Sequence, residues 1–196
     1  MREVLVKKFF NRPALKVTED LLGKFLVRKI GNKEVALMIT EVEAYDGFQD
    51  KASHAYRGKT KRNEVMFSEA GRFYIYLIYG FHNMLNIVTG KKNYPAAILI
   101  RGAGDISGPG RLTKFLKIGR HFNNKKANRK SGLWIEDRGI KISKRNIKRT
   151  PRIGVNYAGK IWAKKPYRFF LKQKKLNFQF PICKLLSSFV FSVIIY

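Results

Sequence analysis

Two glutamates and a tyrosine occupy alternate positions in the stretch ITEVEAYDG, residues 39–47. The stretch predicts the end of a β-strand, in which successive side chains alternate between the two faces. Glu41, Glu43 and Tyr45 should therefore be neighbours on one face. A carboxylate beside an aromatic ring suits displacement at an acetal-like carbon, because it activates water and balances an oxocarbenium-like charge. In nucleic acid, the matching bond joins base to sugar.

Lysine and arginine outnumber the acidic residues by 41 to 13, which gives the 196-residue chain a formal net charge of +28. Such an excess favours a polyanionic partner, with nucleic acid first and an anionic membrane surface second. A lysine-biased genome, which would raise the charge of every protein, is the alternative explanation for part of the excess.

An enzyme that works on a base must first draw it out of the helical stack. It needs a basic surface, a probe that fills the gap and an aromatic slot. The basic residues would form the surface, Tyr79 the probe, and Tyr45, His54 and Tyr76 the slot. The residue types alone leave a plainer interpretation open, because strand aromatics usually form core and exposed strand glutamates usually only face solvent.

The sequence lacks the motifs that bind common cofactors. It has no GxxxxGK[ST], no GxGxxG, no HExxH and no cysteine and histidine set at zinc spacing. We therefore expect neither a metal nor another cofactor. The single cysteine, Cys183, excludes an internal disulfide framework, and MREVLVKKFFNR has no secretory signal, so we expect the reducing cytoplasm.

Alternating apolar segments predict a sheet of short strands. FLVRKIGNKEVALMITEVEAY predicts two strands joined at Gly31 and Asn32, a dipeptide suited to a tight turn. RFYIYLIYGFHNMLNIVTG predicts a second hairpin with Tyr79 near its tip, and AAILIRG a buried strand that ends at Arg101. The polar residues 46–67 predict a long loop, which at this length is usually functional or disordered.

Two helices should flank this sheet. NRPALKVTEDLLGK predicts one with Asn11 as N-cap and Gly23 at its end. SGPGRLTKFLKIG predicts a shorter one with Ser107 as N-cap and Gly119 at its end, whose first amides would be free to face a phosphate.

We therefore expect an α+β fold, a single domain with a curved, mostly antiparallel β-sheet, flanking helices and a protruding β-hairpin. The domain should span residues 1–175. The tail, residues 176–196, is largely apolar, but its apolar run is shorter than the roughly 20 residues of a spanning helix. We expect it to dock as a strand or helix.

Six ordered blocks resemble the alkyladenine (3-methyladenine) DNA glycosylase family between about Asn11 and Leu171. They are EVEAYDG with SHAYRG, FYIYLIYGFHNMLNI, ILIRG, SGPGRL and RIGVNYAGKIWAKKPYRFF. The resemblance implies a monofunctional enzyme that flips and excises alkylated or deaminated purines from double-stranded DNA and leaves an abasic site. The substrates would be 3-methyladenine and 7-methylguanine, with hypoxanthine and ethenoadenine as further candidates. We expect a monomer with no obligatory protein partner.

The resemblance also implies roles for individual residues. Glu43 matches the general base that deprotonates the water attacking the sugar C1′. Arg101 matches the residue that helps to hold this water, and the Ile153 backbone carbonyl should be its third contact. Glu41 would then be a supporting residue, with an ion pair to a nearby lysine or arginine as the plain alternative.

The remaining matches line the base pocket or enter the DNA. Tyr45 would stack on one face of the flipped base, while His54 and Tyr76 line the other. The His54 main-chain amide should donate to the purine edge. Asn86 matches a gatekeeper near the purine 2-position, and Tyr79 the residue that intercalates into the minor groove.

Two other functions compete with this prediction. The first is a non-catalytic basic module that binds DNA or RNA, with its tyrosines as stacking platforms. The second is a hydrolase of free nucleosides, which would need no duplex and would depend little on salt.

Overall fold

The computed structural model describes residues 2–172. In that range the strands are β1 (Glu3–Val4), β2 (Phe25–Ile30), β3 (Lys33–Asp46), β4 (Phe73–Ile78), β5 (His82–Val88), β6 (Ala96–Ala103), β7 (Ile106–Ser107), β8 (Leu133–Asp137), β9 (Ile147–Thr150) and β10 (Arg168–Leu171). The α-helices are α1 (Lys7–Phe10), α2 (Ala14–Leu21), α3 (Pro109–Phe115) and α4 (Gly159–Lys164). The predictions for Cys183 and for the tail fall outside the described residues.

The strands pair antiparallel in the order β1-β8-β2-β3-β6-β5-β4, with β10 also on β3, β9 on β10 and β7 on β6. This confirms the predicted α+β fold with a mostly antiparallel sheet. The long strand β3 pairs with β2 through its first half and lies between β6 and β10 through its second half.

The alternation of side chains along the strands divides the sheet into two faces. One face carries Val42, Phe73 and Ile98 into the main core, which α2 and α3 cover with their apolar residues Val17, Leu21, Leu112 and Leu116. The opposite face carries Tyr74 and Ala97 into a smaller cluster, which the loop of residues 47–67 covers. Glu43 belongs to this second face, because it alternates with Val42.

A β-bulge directs Arg101 towards the glutamates. Glu41 pairs with Gly102 and Val42 with Ile100, so Arg101 is the extra residue in β6. Bulges re-aim side chains in this way and are frequent beside active sites. The buried strand therefore continues two residues past its predicted end at Arg101.

The helix ends differ from the prediction. Asn11 closes α1 through its own N–H bond to Lys7, and α2 starts only after Pro13. Ser107 is held in the short ladder with β6, so Gly108 is the N-cap of α3. That helix ends at Phe115, four residues before the predicted Gly119, because the Ile118 N–H folds back onto the Thr113 carbonyl at 2.8 Å.

The second hairpin protrudes as predicted, with Tyr79 at its tip. Tyr79 and Gly80 both adopt left-handed backbone angles, with φ values of 52° and 77°. Such an angle is uncommon for a residue with a side chain. The Tyr79 side chain is 79% exposed and the neighbouring Phe81 is 69% exposed.

Candidate active site

The Glu43 carboxylate is held by hydrogen-bond donors although it has no exposed surface. Its Oε1 accepts from the Ile153 backbone N–H at 2.9 Å and lies 3.4 Å from the Arg101 Nε. Its Oε2 accepts from the Tyr45 hydroxyl at 3.0 Å. An ionised carboxylate offers about four acceptor positions. The Ile153 N–H and the Tyr45 hydroxyl fill two of them, because the single proton of the Arg101 Nε is donated to Glu41. Within residues 2–172, one position on each carboxylate oxygen therefore stays free.

Burial raises the pKa of Glu43 above its ordinary value. The positive charge of Arg101, the Ile153 N–H, the Tyr45 hydroxyl and the charge of Arg152 act in the opposite direction but do not cancel the burial. A carboxylate with a raised pKa is a stronger base than an exposed one. Burial also raises the pKa of Tyr45, so its hydroxyl stays protonated and keeps donating.

Glu41 forms ion pairs with two arginines. Its Oε1 accepts from the Arg101 Nε at 2.8 Å and from the Arg168 Nε at 2.7 Å. The ion pair expected for Glu41 is therefore present, with two arginines rather than one. Since only the Nε of Arg101 makes hydrogen bonds within residues 2–172, both of its terminal nitrogens are free for a ligand in the cleft that Arg101 lines.

Four of the predicted pocket residues lie around one cavity. Tyr45, His54, Tyr76 and Asn86 line this small cavity, and the Tyr45 hydroxyl joins it to Glu43. The His54 ring lies edge-on to the Tyr76 ring at 4.4 Å between centroids, and its Nδ1 is 3.0 Å from the Tyr74 hydroxyl. Burial and the charge of Arg62 lower the pKa of His54, so its ring is neutral at pH 7.

Asn86 forms a rigid part of the pocket wall. The residue is 2% exposed, and its side-chain Nδ2 donates to the backbone oxygens of Tyr74 at 3.0 Å and Met84 at 3.1 Å. Both amide protons are thereby used, which fixes the orientation of the side chain.

A wide cleft connects this pocket to the hairpin tip. Tyr45, His54 and Tyr76 line both spaces, and Tyr79, Arg101 and Ile153 line only the cleft. Basic side chains from several segments also border it: Lys51, Arg57, Arg62 and Arg111. The structure thus brings all eight predicted site residues together. Seven of them line the pocket or the cleft, and Glu43 is buried directly behind the cleft wall.

Two backbone groups that the sequence analysis singled out are unpaired. Among the described residues, neither the His54 N–H nor the Ile153 carbonyl takes part in a hydrogen bond. Ile153 instead contacts Glu43 through its N–H. The His54 carbonyl accepts from the Asn63 side chain at 2.8 Å, which holds this part of the loop in place.

Comparison with known proteins identifies the family of this chain. A model of the methylpurine-DNA glycosylase (MPG) family matches residues 8–107 and 103–175. A Methanocella arvoryzae protein named "Putative 3-methyladenine DNA glycosylase" is 44% identical over 189 residues, covering 86% of this chain and 92% of its own. Proteins of the same name from Borreliella afzelii and Anaeromyxobacter are 41% and 39% identical, covering 85% and 86% of this chain and 95% and 89% of theirs.

The chain belongs to the methylpurine-DNA glycosylase family. The predicted family is therefore confirmed, and with it a DNA glycosylase activity in DNA repair. Damaged DNA is the substrate that this family implies. Across residues 2–172, no helix has the length and apolar character needed to cross a membrane.

Three residues of this glycosylase's site escaped the sequence analysis. Tyr157 lines both the pocket and the cleft, and its hydroxyl donates to the Ala52 carbonyl at 2.9 Å. Asp50 and Arg152 form a buried ion pair behind Tyr45. Tyr157 follows Ile153 by four residues in RIGVNYAG, so its closeness to a predicted site residue was an available signal. Nothing local to Asp50 or Arg152 distinguishes them from surface charges.

Proposed function

We propose that this glycosylase rotates an alkylated purine out of duplex DNA and hydrolyses its bond to C1′ with a water that Glu43 deprotonates. The observation that carries the proposal is the buried Glu43 carboxylate, with a free acceptor position on each oxygen, directly beside a pocket lined by aromatic rings. A general base of this kind accelerates a reaction by about 10²–10⁴-fold.

Arg101 and Ile153 complete the water site in this proposal. The water would donate to a free acceptor position of the Glu43 carboxylate. The terminal nitrogens of Arg101 and the unpaired Ile153 carbonyl would be its other hydrogen-bond partners. Because the carboxylate has no exposed surface, one wall residue must shift before water reaches it. The Arg101 contact with Glu43 is the longest of the three, at 3.4 Å, and is the one that yields most easily.

The pocket recognises the base by stacking and by shape. Tyr45 takes one face of the purine, and the edge-on pair of His54 and Tyr76 the other. The free His54 N–H donates to the purine edge. Asn86 cannot turn away, because its amide is bound to two backbone oxygens, so it collides with an exocyclic amino group at the purine 2-position.

The hairpin and the basic cleft supply the duplex contacts. Tyr79 enters the minor groove and fills the space that the extruded base leaves, while Lys51, Arg57, Arg62 and Arg111 neutralise phosphates. We propose that the protein acts as a monomer and has no obligatory protein partner.

The charge of the leaving base determines how much catalysis the site must supply. A purine alkylated at N3 or N7 carries a positive charge and departs readily, so 3-methyladenine is the easiest substrate. 7-Methylguanine is also a substrate, because its positive charge offsets the collision between its 2-amino group and Asn86. Hypoxanthine and ethenoadenine are neutral and depend more on the site. Water is the nucleophile, so the product is an abasic site in an intact strand, and the enzyme is monofunctional.

The test uses duplexes that carry one hypoxanthine or one ethenoadenine, together with methylated DNA. Purified protein should produce strand breaks only after alkali treatment, and borohydride should trap no covalent complex between enzyme and DNA. Absence of alkali-sensitive sites in all three substrates would rule out the activity. Breaks without alkali, or a trapped complex, would exclude the water mechanism.

A further inference from the structure

The Asp50 and Arg152 side chains form an ion pair that is entirely shielded from solvent. Arg152 Nη1 lies 2.5 Å from Asp50 Oδ2, and Arg152 Nη2 lies 2.8 Å from Asp50 Oδ1. This parallel arrangement is the strongest that an arginine and a carboxylate can form. Arg152 Nη1 also donates to the Ala44 carbonyl at 2.7 Å, within β3.

Asp50 ties the end of β3 to the loop that carries His54. Its carboxylate accepts from the backbone N–H of Asp46 and from that of Ala52, both at 3.1 Å. Two residues beyond Ala52, His54 lines the base pocket. A displacement of Asp50 would therefore move this wall.

Arg152 contacts the Tyr45 ring and leads into the segment that begins at Ile153, which form the other two walls of the pocket. Its guanidinium carbon lies 4.8 Å from the centroid of the Tyr45 ring and 5.2 Å from that of Tyr167. The residue that follows is Ile153, whose N–H binds Glu43. Burial acts to lower the pKa of Arg152, but Asp50, Tyr45 and Glu43 outweigh it and leave this pKa above its ordinary value.

A buried ion pair is weak support for stability. The desolvation of two charges can exceed their attraction, and replacement of both partners by apolar residues of similar size is often neutral or stabilising. Apart from the Tyr167 ring, the contacts of this pair are with segments that line the base pocket or the cleft. A second tie joins two of these segments, because the Tyr157 hydroxyl donates to the Ala52 carbonyl.

We propose that the Asp50–Arg152 pair positions the pocket, holding Tyr45, the His54 loop and the segment from Ile153 to Tyr157 in the arrangement that receives a flipped purine. This inference rests on the proposed function. Asp50 and Arg152 touch neither base nor water and act only through these neighbours. A misplacement of about 1 Å can lower a catalytic rate about 10²-fold.

The main test replaces both partners at once, with Asp50→Leu and Arg152→Met in one protein. Melting temperature, affinity for undamaged duplex and the single-turnover rate at saturating enzyme are measured on methylated DNA. We expect a folded protein with a lower melting temperature, because the Asp46 and Ala52 N–H groups lose their acceptor. Its affinity should be that of the wild type, but its rate should be lowered about 10²-fold. The matched control replaces a pair outside the cleft by Leu and Met: Glu136, which is buried in β8, and Arg138, which is half-buried just after β8. Its rate should stay at the wild-type value.

The single variant Arg152→Lys provides a second test if the double variant does not fold. A lysine keeps the charge opposite Asp50 but loses the flat, two-pronged contact with Asp50 and Tyr45. We expect a lower maximal rate with unchanged duplex affinity. A full rate in a folded double variant, or in Arg152→Lys, would overturn the inference. No excision by the wild-type protein would instead contradict the proposed function itself.

Discussion

The floor of the pocket and the tip of the hairpin differ most in the burial of their side chains. At the floor, Glu43 has no exposed surface, and two hydrogen bonds and the charge of Arg101 hold its carboxylate. At the tip, Tyr79 and Phe81 are 79% and 69% exposed on a turn with left-handed backbone angles. In the proposed function, the floor is organised before DNA arrives, whereas the tip gains its contacts only when DNA covers it.

The distribution of charge follows the same division. Four of the 13 acidic residues fall within residues 41–50, at or near the pocket floor: Glu41, Glu43, Asp46 and Asp50. Arginines compensate three of them, Glu41, Glu43 and Asp50. The cleft wall, which we propose contacts the phosphates, carries basic side chains instead. A very basic protein can therefore hold a carboxylate catalyst without repelling DNA.

The largest effect should follow from removal of the base at the floor. Glu43→Gln preserves the size of the side chain but cannot take a proton from water, so the single-turnover rate should fall about 10²–10⁴-fold. Affinity for duplex should not fall, because Glu43 faces no phosphate. Glu136→Gln is the matched control, since Glu136 is equally buried and paired with arginine but lies in β8. Similar rates for both variants would argue against a catalytic Glu43.

Removal of the probe at the tip should have a smaller effect. Tyr79→Ala deletes a ring whose stacking on a base is worth about 1–3 kcal/mol, or roughly 5–150-fold in excision from duplex. The fold should persist, because the side chain is exposed. Single-turnover kinetics and thermal melting check the two statements. Excision at the wild-type rate would show that the tip is not a wedge.

The pH dependence should report the environment of Glu43 alone. The carboxylate acts when ionised, so the rate should rise as pH rises through its raised pKa. Tyr45→Phe removes a donor that stabilises the ionised form, which raises this pKa further and moves the rise to higher pH. Arg101, Arg152 and the Ile153 N–H stay in place in this variant. An unmoved profile would mean that the Tyr45 hydroxyl does not influence the base.

The smallest effect concerns the backbone of the tip. Glycine at position 79 would relieve the left-handed conformation of Tyr79, which costs about 1 kcal/mol for a residue with a side chain. Tyr79→Gly should therefore be more resistant to urea than Tyr79→Ala and equally poor in excision. Equal urea midpoints for the two variants would show that the tip stores no strain.

Local patterns in the sequence predicted part of this site correctly. The period of two along β3 placed Glu41, Glu43 and Tyr45 on one face, and Gly80 marked the turn that exposes Tyr79. The bulge at Arg101 was not predictable, because it depends on the register between two distant strands. The Asp50–Arg152 pair joins residues 102 apart in the chain, which leaves no periodic signal.

The two helix caps were mispredicted for a related reason. Asn11 and Ser107 are both good N-cap residues by type. Asn11 was needed to close the preceding helix, and Ser107 to pair with Gly102 in β6. A neighbouring helix overrode the local preference of Asn11, and strand pairing overrode that of Ser107.

The most direct test compares Glu43→Gln and Tyr79→Ala on one lesion in two settings, within a duplex and unpaired in a single strand. An unpaired base needs little extraction, so the rate deficit of Tyr79→Ala should shrink on the single strand. The deficit of Glu43→Gln should remain about 10²–10⁴-fold on both, because it lies in the chemical step. A Glu43→Gln protein that excises the unpaired lesion at the wild-type rate would contradict the proposal that this carboxylate activates the water.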